Sequence, residues 1–173
     1  RQYSIFQDGD TELRALPDET LMAKLFEGIN PSVDKVLLWN DEPALPESIL
    51  NQIDSIKDEI NNQETAHDKG VLYRSSGSKK DGFYLLHSIP KYPSVKGNTS
   101  IDPTTPTSST YGQSMICVSL SDDDSFATVW KHVSAQYSDI YFDTFNYPVP
   151  PKTSVKTLVQ LNFGGIFSYI TKT

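Results

Sequence analysis

Apolar residues in this chain fall into short runs that are closed by turn residues, a pattern typical of buried strands. The runs are DKVLLWND (34–41), GVLYRS (70–75), GFYLLHS (82–88) and QSMICVSL (113–120). The polar segment SGSKKD (76–81) separates the second run from the third. This spacing predicts a β-hairpin with a longer loop.

Two other segments have helical periodicity. Isoleucines recur at helical spacing over residues 45–63, where Pro46 is suited to the first turn. Residues 121–137 predict a second helix, with Ser121 and Asp124 resembling a capping box. His132 falls on its polar side, where we expect it to be exposed. The opposite, apolar face is predicted to pack in the core and comprises Phe126, Val129, Trp130, Val133 and Tyr137.

The remaining segments complete the prediction of fold class. Residues 93–110, rich in Pro, Ser and Thr, predict an exposed loop. Residues 153–173 predict a final strand and the start of a helix. With 37% hydrophobic and 21% charged residues, the 173 residues suit one folded domain. We therefore predict a mixed α/β (α+β) domain over residues 1–173, in which helices flank a mixed β-sheet.

Composition narrows the possible partners. No apolar run approaches the roughly 20 residues that span a bilayer, and the first residues lack a signal-peptide pattern, so we expect a soluble protein without a membrane partner. The formal net charge of -7 argues against a basic, DNA-binding surface at neutral pH. Around pH 5 the histidines become cationic and carboxylates begin to protonate, so acidic conditions weaken that objection.

Several kinds of site find no support in the sequence. There is no phosphate-binding glycine loop, paired-cysteine zinc pattern or calcium-binding loop, so we expect no cofactor and no structural metal. Cys117 is the only cysteine and is predicted to be a buried strand residue, although an odd cysteine in a secreted protein also hints at a missing partner. Asn98 begins the glycosylation sequon NTS, which matters in a secretory context.

The candidate chemistry lies at the base of the predicted hairpin. Residues two apart on a strand share a face, so HDK (67–69) would present His67 and Lys69 together. An imidazole can attack phosphorus or move a proton, and an ammonium can stabilise phosphate oxygens. A hairpin centre near Ser78 places Lys69 opposite His87 on the same face. A slip of one residue in that register would send His87 to the other face.

Three segments in order carry a resemblance to a known family. HDKGVL (67–72), GFYLLHSIPKYP (82–93) and TYGQSMICVSL (110–120) closely resemble the N-terminal half of the deoxyribonuclease II family. LLWNDEP (37–43) and GGIFSYITKT (164–173) fit the same order. The resemblance covers most of the chain, and the combination in order is what makes it specific.

The resemblance implies a lysosomal or secreted acid endonuclease that needs no divalent metal and has a fold similar to the phospholipase D superfamily. Each half of such a protein contributes one His-x-Lys pair, and one histidine forms a phosphohistidine while the other is the general acid. By position, His67 is nucleophile or acid and Lys69 is a phosphate clamp. His87 and Ser88 support or contact the phosphate. Tyr111 and Gln113 belong to the third segment, where strand packing and hydrogen bonding are equally good interpretations.

The chain departs from the family pattern because it contains no second His-x-Lys pair. We expect it to be the N-terminal half of a larger protein, with the second pair supplied by a C-terminal half, a partner chain or a homo-oligomer. The alternative is a secreted, catalytically inactive homologue that serves as a DNA-binding or host-interaction protein. A phosphodiesterase for lipid or another substrate is disfavoured, because the matching segments outside His-x-Lys are those of the nuclease family. Lys79 and Lys80 at the hairpin tip could contact the DNA backbone, although such charges are usually only solvated.

Overall fold

The computed structural model describes residues 3–5, 12, 14–16, 20–41, 66–79, 81–96, 100–103, 113–136, 138–148, 158–163 and 167–172. Its helices are α1 (Thr20–Phe26) and α2 (Asp123–Ala135). Its strands are β1 (Tyr3–Ile5), β2 (Arg14–Leu16), β3 (Lys35–Asn40), β4 (Lys69–Arg74), β5 (Gly82–His87), β6 (Ser94–Lys96), β7 (Ser100–Asp102), β8 (Met115–Leu120), β9 (Ile140–Asp143), β10 (Leu158–Phe163) and β11 (Phe167–Lys172).

Five strands form the central sheet of the described residues, in the order β8-β5-β4-β3-β9. The four apolar runs of the sequence are β3, β4, β5 and β8, so these predictions are confirmed. Helices and sheets together give the predicted α+β class. None of the helices in the described residues has the length and hydropathy needed to cross a lipid bilayer.

The described strands pair antiparallel throughout, whereas the sequence predicts a mixed sheet. A crossover is nevertheless present, because α2 connects β8 to β9 and these two strands run in the same direction. Three other strands separate β8 from β9, which lie at opposite edges of the sheet. The parallel strands therefore never become neighbours.

The β4–β5 hairpin has the register that the sequence predicts. Gly70 lies opposite Leu86 and Arg74 opposite Gly82, which places Lys69 opposite His87. The backbone N–H of Ser75 donates to the carbonyl of Asp81 at 2.9 Å and closes the loop. A Cβ atom at Gly82 would lie 1.9 Å from the carbonyl oxygen of Tyr73, so this position requires glycine.

Both faces of the sheet are covered, because alternate strand residues project to opposite sides. On the face that we call the back face, α2 packs against residues such as Leu37, Leu72 and Tyr84. On the opposite face, the front face, Val36, Leu38, Val71, Phe83 and Leu85 pack with Phe26, Ile89 and Tyr92. The three inner strands β3, β4 and β5 are thus buried on both sides, which explains their nearly continuous apolar sequences.

Helix α2 differs from its prediction in two details. Its N-cap is Asp122, whose carboxylate accepts hydrogen bonds from the backbone N–H of Ser125 at 2.7 Å and from its hydroxyl at 2.6 Å. The predicted capping box of Ser121 and Asp124 is therefore wrong by one residue. His132 is fully buried, not exposed. Helix α2 also lies near β10, a strand outside the central sheet.

Three further predictions are corrected. Residues 167–172 form a strand that pairs with β10, not a helix. Part of the predicted loop at 93–110 forms the antiparallel pair β6 and β7. Cys117 is exposed, because it lies on the edge strand β8, which has one neighbour in the sheet. The predicted helix at 45–63 and residue Tyr137 lie outside the described residues.

Candidate active site

One end of the sheet carries a row of polar side chains on the front face. Strand pairing aligns Asn40 with Lys69 and places Lys69 opposite His87. On β8 the apolar residue Met115 lies opposite His87 and ends the row. Asn40, Lys69 and His87 stand at strand ends, whereas the buried front-face residues farther along β3, β4 and β5 are hydrophobic. The row is therefore the polar end of an otherwise hydrophobic surface.

Asp41 joins the two members of the His-x-Lys pair. Its Oδ2 contacts Nδ1 of His67 and its Oδ1 contacts Nζ of Lys69. The two cationic partners lie in different environments, since the side chain of His67 is 88% exposed and that of Lys69 is 6% exposed. Because Asp41 holds Nδ1, the exposed ring of His67 keeps Nε2 for solvent or substrate. A carboxylate that orients an imidazole in this way fixes its tautomer, which is a recurrent catalytic arrangement.

Lys69 is held beneath Asp41, not at the surface. Burial lowers the pKa of Lys69, because desolvation disfavours the charged amine. The adjacent Asp41 carboxylate supplies the opposite charge that a buried ammonium needs. In this structure Lys69 therefore forms an ion pair with Asp41. Contact of Lys69 with a phosphate stays a prediction.

His87 is buried beside Lys69. Its Nδ1 accepts a hydrogen bond from the backbone N–H of Ile89 at 3.2 Å, which leaves the proton of the neutral ring on Nε2. Burial, and then the charge of Lys69, lower the pKa of His87 to about 3. Its Nε2 is buried and has no hydrogen-bond partner among the described residues. His87 is thus a buried, neutral neighbour of Lys69, and its support of or contact with a phosphate stays a prediction.

Two anchors fix the loop that follows β5. The side-chain amide of Asn40 donates to the carbonyls of Ile89 at 3.1 Å and Tyr92 at 3.0 Å. Ser88 donates through its hydroxyl to Oε1 of Gln113 at 2.6 Å, and its Oγ accepts from the backbone N–H of Ser114 at 2.9 Å. Ser88 and Gln113 therefore tie the end of β5 to the start of β8.

The structure thus brings together three of the predicted site residues, His67, Lys69 and His87. Ser88 and Gln113 bind each other beside them. Asn98 and Tyr111 lie outside the described residues. Lys79 is exposed at the hairpin tip, at the other end of β4 and β5.

Sequence reasoning missed Asp41 and Asn40. The signal was present in the sequence, since both residues end the predicted strand at 34–41. Their place in the site depends on the pairing of β3 with β4, which aligns Asn40 with Lys69. The periodicity of the sequence does not reveal which strands pair. Among the described residues, no three His, Cys, Asp or Glu side chains form a group suited to a metal ion.

Comparison with known proteins bears on this arrangement. A sequence profile described as Deoxyribonuclease II matches residues 19–169, which include the whole polar row. The chain belongs to the deoxyribonuclease II family. Deoxyribonuclease-2-alpha of Rattus norvegicus is 33% identical to it over 112 residues, and Deoxyribonuclease-2-alpha of Sus scrofa is 28% identical over 118 residues.

The matched segments cover 65% and 68% of this chain but only 28% and 27% of the two deoxyribonuclease II relatives. The chain therefore corresponds to a minor part of the curated relatives that it matches. No solved structure matches the chain significantly. The likeness of the fold to the phospholipase D superfamily accordingly stays a prediction.

Proposed function

We propose that this chain is the N-terminal half of a deoxyribonuclease II-type endonuclease, which cleaves DNA at acidic pH without a divalent metal. The cluster of His67, Asp41 and Lys69 carries the proposal, because it presents an oriented imidazole in a chain that belongs to a nuclease family. The proposal treats residues 1–173 as one domain.

The proposed nucleophile is Nε2 of His67. In the first step Nε2 forms a bond to phosphorus while the bond from phosphorus to the leaving deoxyribose oxygen breaks. A second histidine, from a second His-x-Lys pair, gives its proton to that oxygen. Water then attacks phosphorus, the phosphorus–nitrogen bond breaks, and the proton of water passes to the second histidine. Nucleophilic catalysis of this kind replaces one difficult displacement by two easier ones.

Asp41 and Lys69 prepare His67 for this step. The Asp41 carboxylate accepts a hydrogen bond from Nδ1–H of His67, which keeps the proton on Nδ1 and leaves the lone pair of the neutral ring on Nε2. Lys69 neutralises that carboxylate from below. Without this cation, Asp41 would present a negative charge toward an anionic phosphodiester, which would repel it. This role for Lys69 is proposed in addition to the phosphate clamp that the family resemblance implies.

The second His-x-Lys pair must come from elsewhere, because the 173 residues contain one such pair. We propose a C-terminal half, a partner chain or a second copy as its source. The small share of the relatives that the chain covers favours the first of these.

The test is plasmid nicking at about pH 5 with a chelator present. The 173-residue chain is assayed alone and as part of the longer protein that contains the second pair, each with a His67→Ala variant. Lys131→Ala, which removes an exposed charge from α2, is the control. We expect chelator-resistant nicking that His67→Ala abolishes and Lys131→Ala leaves unchanged.

Nicking that continues in His67→Ala would remove this site from the mechanism. DNA binding without cleavage by the complete protein would instead favour the inactive, DNA-binding homologue.

The same proposal places the protein in a lysosome or outside the cell, with Asn98 glycosylated. Expression through a secretory pathway should then give a glycosidase-sensitive mass that Asn98→Gln lowers, and an unchanged mass would argue against this location.

A further inference from the structure

Asp68 lies between His67 and Lys69 in sequence, but its side chain occupies the back face of the sheet. Its Oδ2 accepts hydrogen bonds from the indole Nε1–H of Trp39 at 2.9 Å and from the hydroxyl of Ser138 at 3.0 Å. The two donors come from different elements, since Trp39 is in β3 and Ser138 precedes β9. Asp68 therefore fastens the start of β4 to two neighbouring parts of the molecule.

The indole of Trp39 also packs against Gly70 in the same segment. Trp39 is fully buried and stacks on Tyr84 with ring centroids 6.0 Å apart. A Cβ atom at Gly70 would lie 2.3 Å from Cζ2 of Trp39, so the ring fills the space above the glycine. One rigid side chain thus contacts residues 68 and 70. Because strand residues alternate, this fixes the direction in which Lys69 projects on the front face.

We propose that Trp39, Asp68 and Ser138, which we call the back-face clamp, position His67 and Lys69 for catalysis from behind the sheet. The inference rests on the proposed function and adds three positioning residues to it. His67 precedes β4 and is almost wholly exposed, so its own packing gives its backbone little support. The clamp supplies that support at the adjacent residue.

The chemistry of Asp68 is consistent with this role. Its Oδ1 is buried without a hydrogen-bond partner in the described structure, which makes a carboxylate costly here. Burial is the main cause that raises the pKa of Asp68, and the charge of Asp139 adds to it, whereas the bonds from Ser138 and Trp39 oppose the rise. An asparagine at position 68 could accept both hydrogen bonds through its amide oxygen. The Asp68→Asn variant therefore shows whether these hydrogen bonds or the charge of Asp68 are needed.

Asp34 offers a matched control at the opposite end of the sheet. It is also buried, and its carboxylate accepts hydrogen bonds from the backbone N–H groups of Asn30 at 2.9 Å and Ser76 at 2.8 Å. It precedes β3, whereas the site lies where β3 ends. Loss of either carboxylate removes two hydrogen bonds next to an end of the same sheet.

The experiment compares Asp68→Ala, Asp68→Asn, Ser138→Ala and Asp34→Ala in the complete protein. Steady-state nicking gives kcat and KM, and amide hydrogen exchange gives local opening without need of activity. We expect Asp68→Ala to lower kcat about 100-fold at a KM within twofold of the parent, the scale expected for misplacement by about 1 Å. Asp68→Asn should stay within about threefold of the parent kcat, and Ser138→Ala should fall between them.

Hydrogen exchange at residues 67–70 should rise at least about tenfold in Asp68→Ala, and exchange at Tyr73 and Arg74 should not. Asp34→Ala should leave kcat unchanged. Equal losses of kcat in Asp68→Ala and Asp34→Ala would show a general structural effect and overturn the clamp. Unchanged exchange at 67–70 would overturn it as well. A parent protein without activity, but with faster exchange in Asp68→Ala, would overturn the proposed function while supporting the anchoring by the clamp.

Discussion

At the scale of single residues, we expect Asp41 to be the most sensitive position of the site, because it faces His67 and buried Lys69 at once. Asp41→Asn keeps the shape of the side chain but removes its charge. We expect nicking to fall at least about 100-fold, since the imidazole loses its oriented tautomer. We also expect the free energy of unfolding to fall by about 3 kcal/mol, because Lys69 keeps a buried charge without its partner. Nicking assays and denaturant unfolding measure the two effects.

A double variant separates these two consequences. Asp41→Asn with Lys69→Met removes both charges, so stability should return toward the parent value while activity stays low. The control is Asp102→Asn, which breaks the pair between Asp102 and the exposed Lys96. That change should cost less than about 1 kcal/mol. An Asp41→Asn protein as active as its parent would remove Asp41 from the mechanism.

The residue scale also shows how far sequence reasoning reached. The length of the hairpin loop was enough to place Lys69 opposite His87, because a hairpin fixes its own register. The burial of His87 was not predicted, because it depends on Ile89 and Tyr92 packing on the front face. The contact between Asp41 and His67 could not be predicted, because it needs two segments that are distant in sequence to pair.

At the scale of elements, helix α2 gives a direct test of which residue begins it. Asp122→Ala should lower the free energy of unfolding by about 1 kcal/mol, because the Ser125 amide loses its acceptor. Ser121→Ala should change it by less than about 0.5 kcal/mol. The hydrogen bonds from Ser125, through its hydroxyl and then its backbone N–H, lower the pKa of Asp122. The cap is therefore present above the ordinary Asp pKa of about 3.9, and its contribution is lost as the pH falls through the lower folded value.

Denaturant unfolding of the parent, Ser121→Ala and Asp122→Ala measures this difference at pH 7 and again near pH 2.5. A larger loss of unfolding free energy in Ser121→Ala than in Asp122→Ala would show that Ser121 is the N-cap, as the sequence alone predicted. At the acidic pH the difference between the two variants should be smaller, because protonation of Asp122 weakens the cap that Ser121→Ala retains and that Asp122→Ala lacks at every pH.

The elements that sequence predicted well share one property. β3, β4, β5 and β8 all have apolar runs that are long enough to identify them, although only β3, β4 and β5 are buried on both faces and β8 is a partly exposed edge strand. The short pair β6 and β7 lies in a polar segment, so its pairing left no periodic signal. For residues 167–172 the local sequence did not distinguish a strand from the start of a helix. These residues form a strand because they pair with β10.

At the scale of the whole molecule, two buried histidines make stability depend on pH. Burial lowers the pKa of His132 to about 4, and burial with the charge of Lys69 lowers that of His87 to about 3. Both values lie below the unfolded value of about 6.5. The unfolded chain therefore binds more protons in this window, and the free energy of unfolding falls as the pH drops below about 6.5. At pH 5 each histidine should cost about 2 kcal/mol.

The measurement is denaturant unfolding between pH 7.5 and 5 for the parent, His132→Gln and Lys131→Ala. We expect His132→Gln to lose less stability on acidification than the parent, by about 2 kcal/mol at pH 5. Lys131→Ala, the neighbouring exposed position on the same helix, should lose as much as the parent. The same acid sensitivity in all three proteins would show that His132 is protonated while folded. For an enzyme proposed to act near pH 5, bound DNA would offset part of this loss.

The bond that closes the hairpin between Ser75 and Asp81 has an evolutionary consequence. Residues inside that closure can be gained or lost without altering how the two strands align. One residue gained or lost within either strand would turn every later side chain to the opposite face, and His87 would leave Lys69. Homologous sequences should therefore concentrate their length variation between positions 75 and 81, while the distances from His67 to Arg74 and from Gly82 to His87 stay constant.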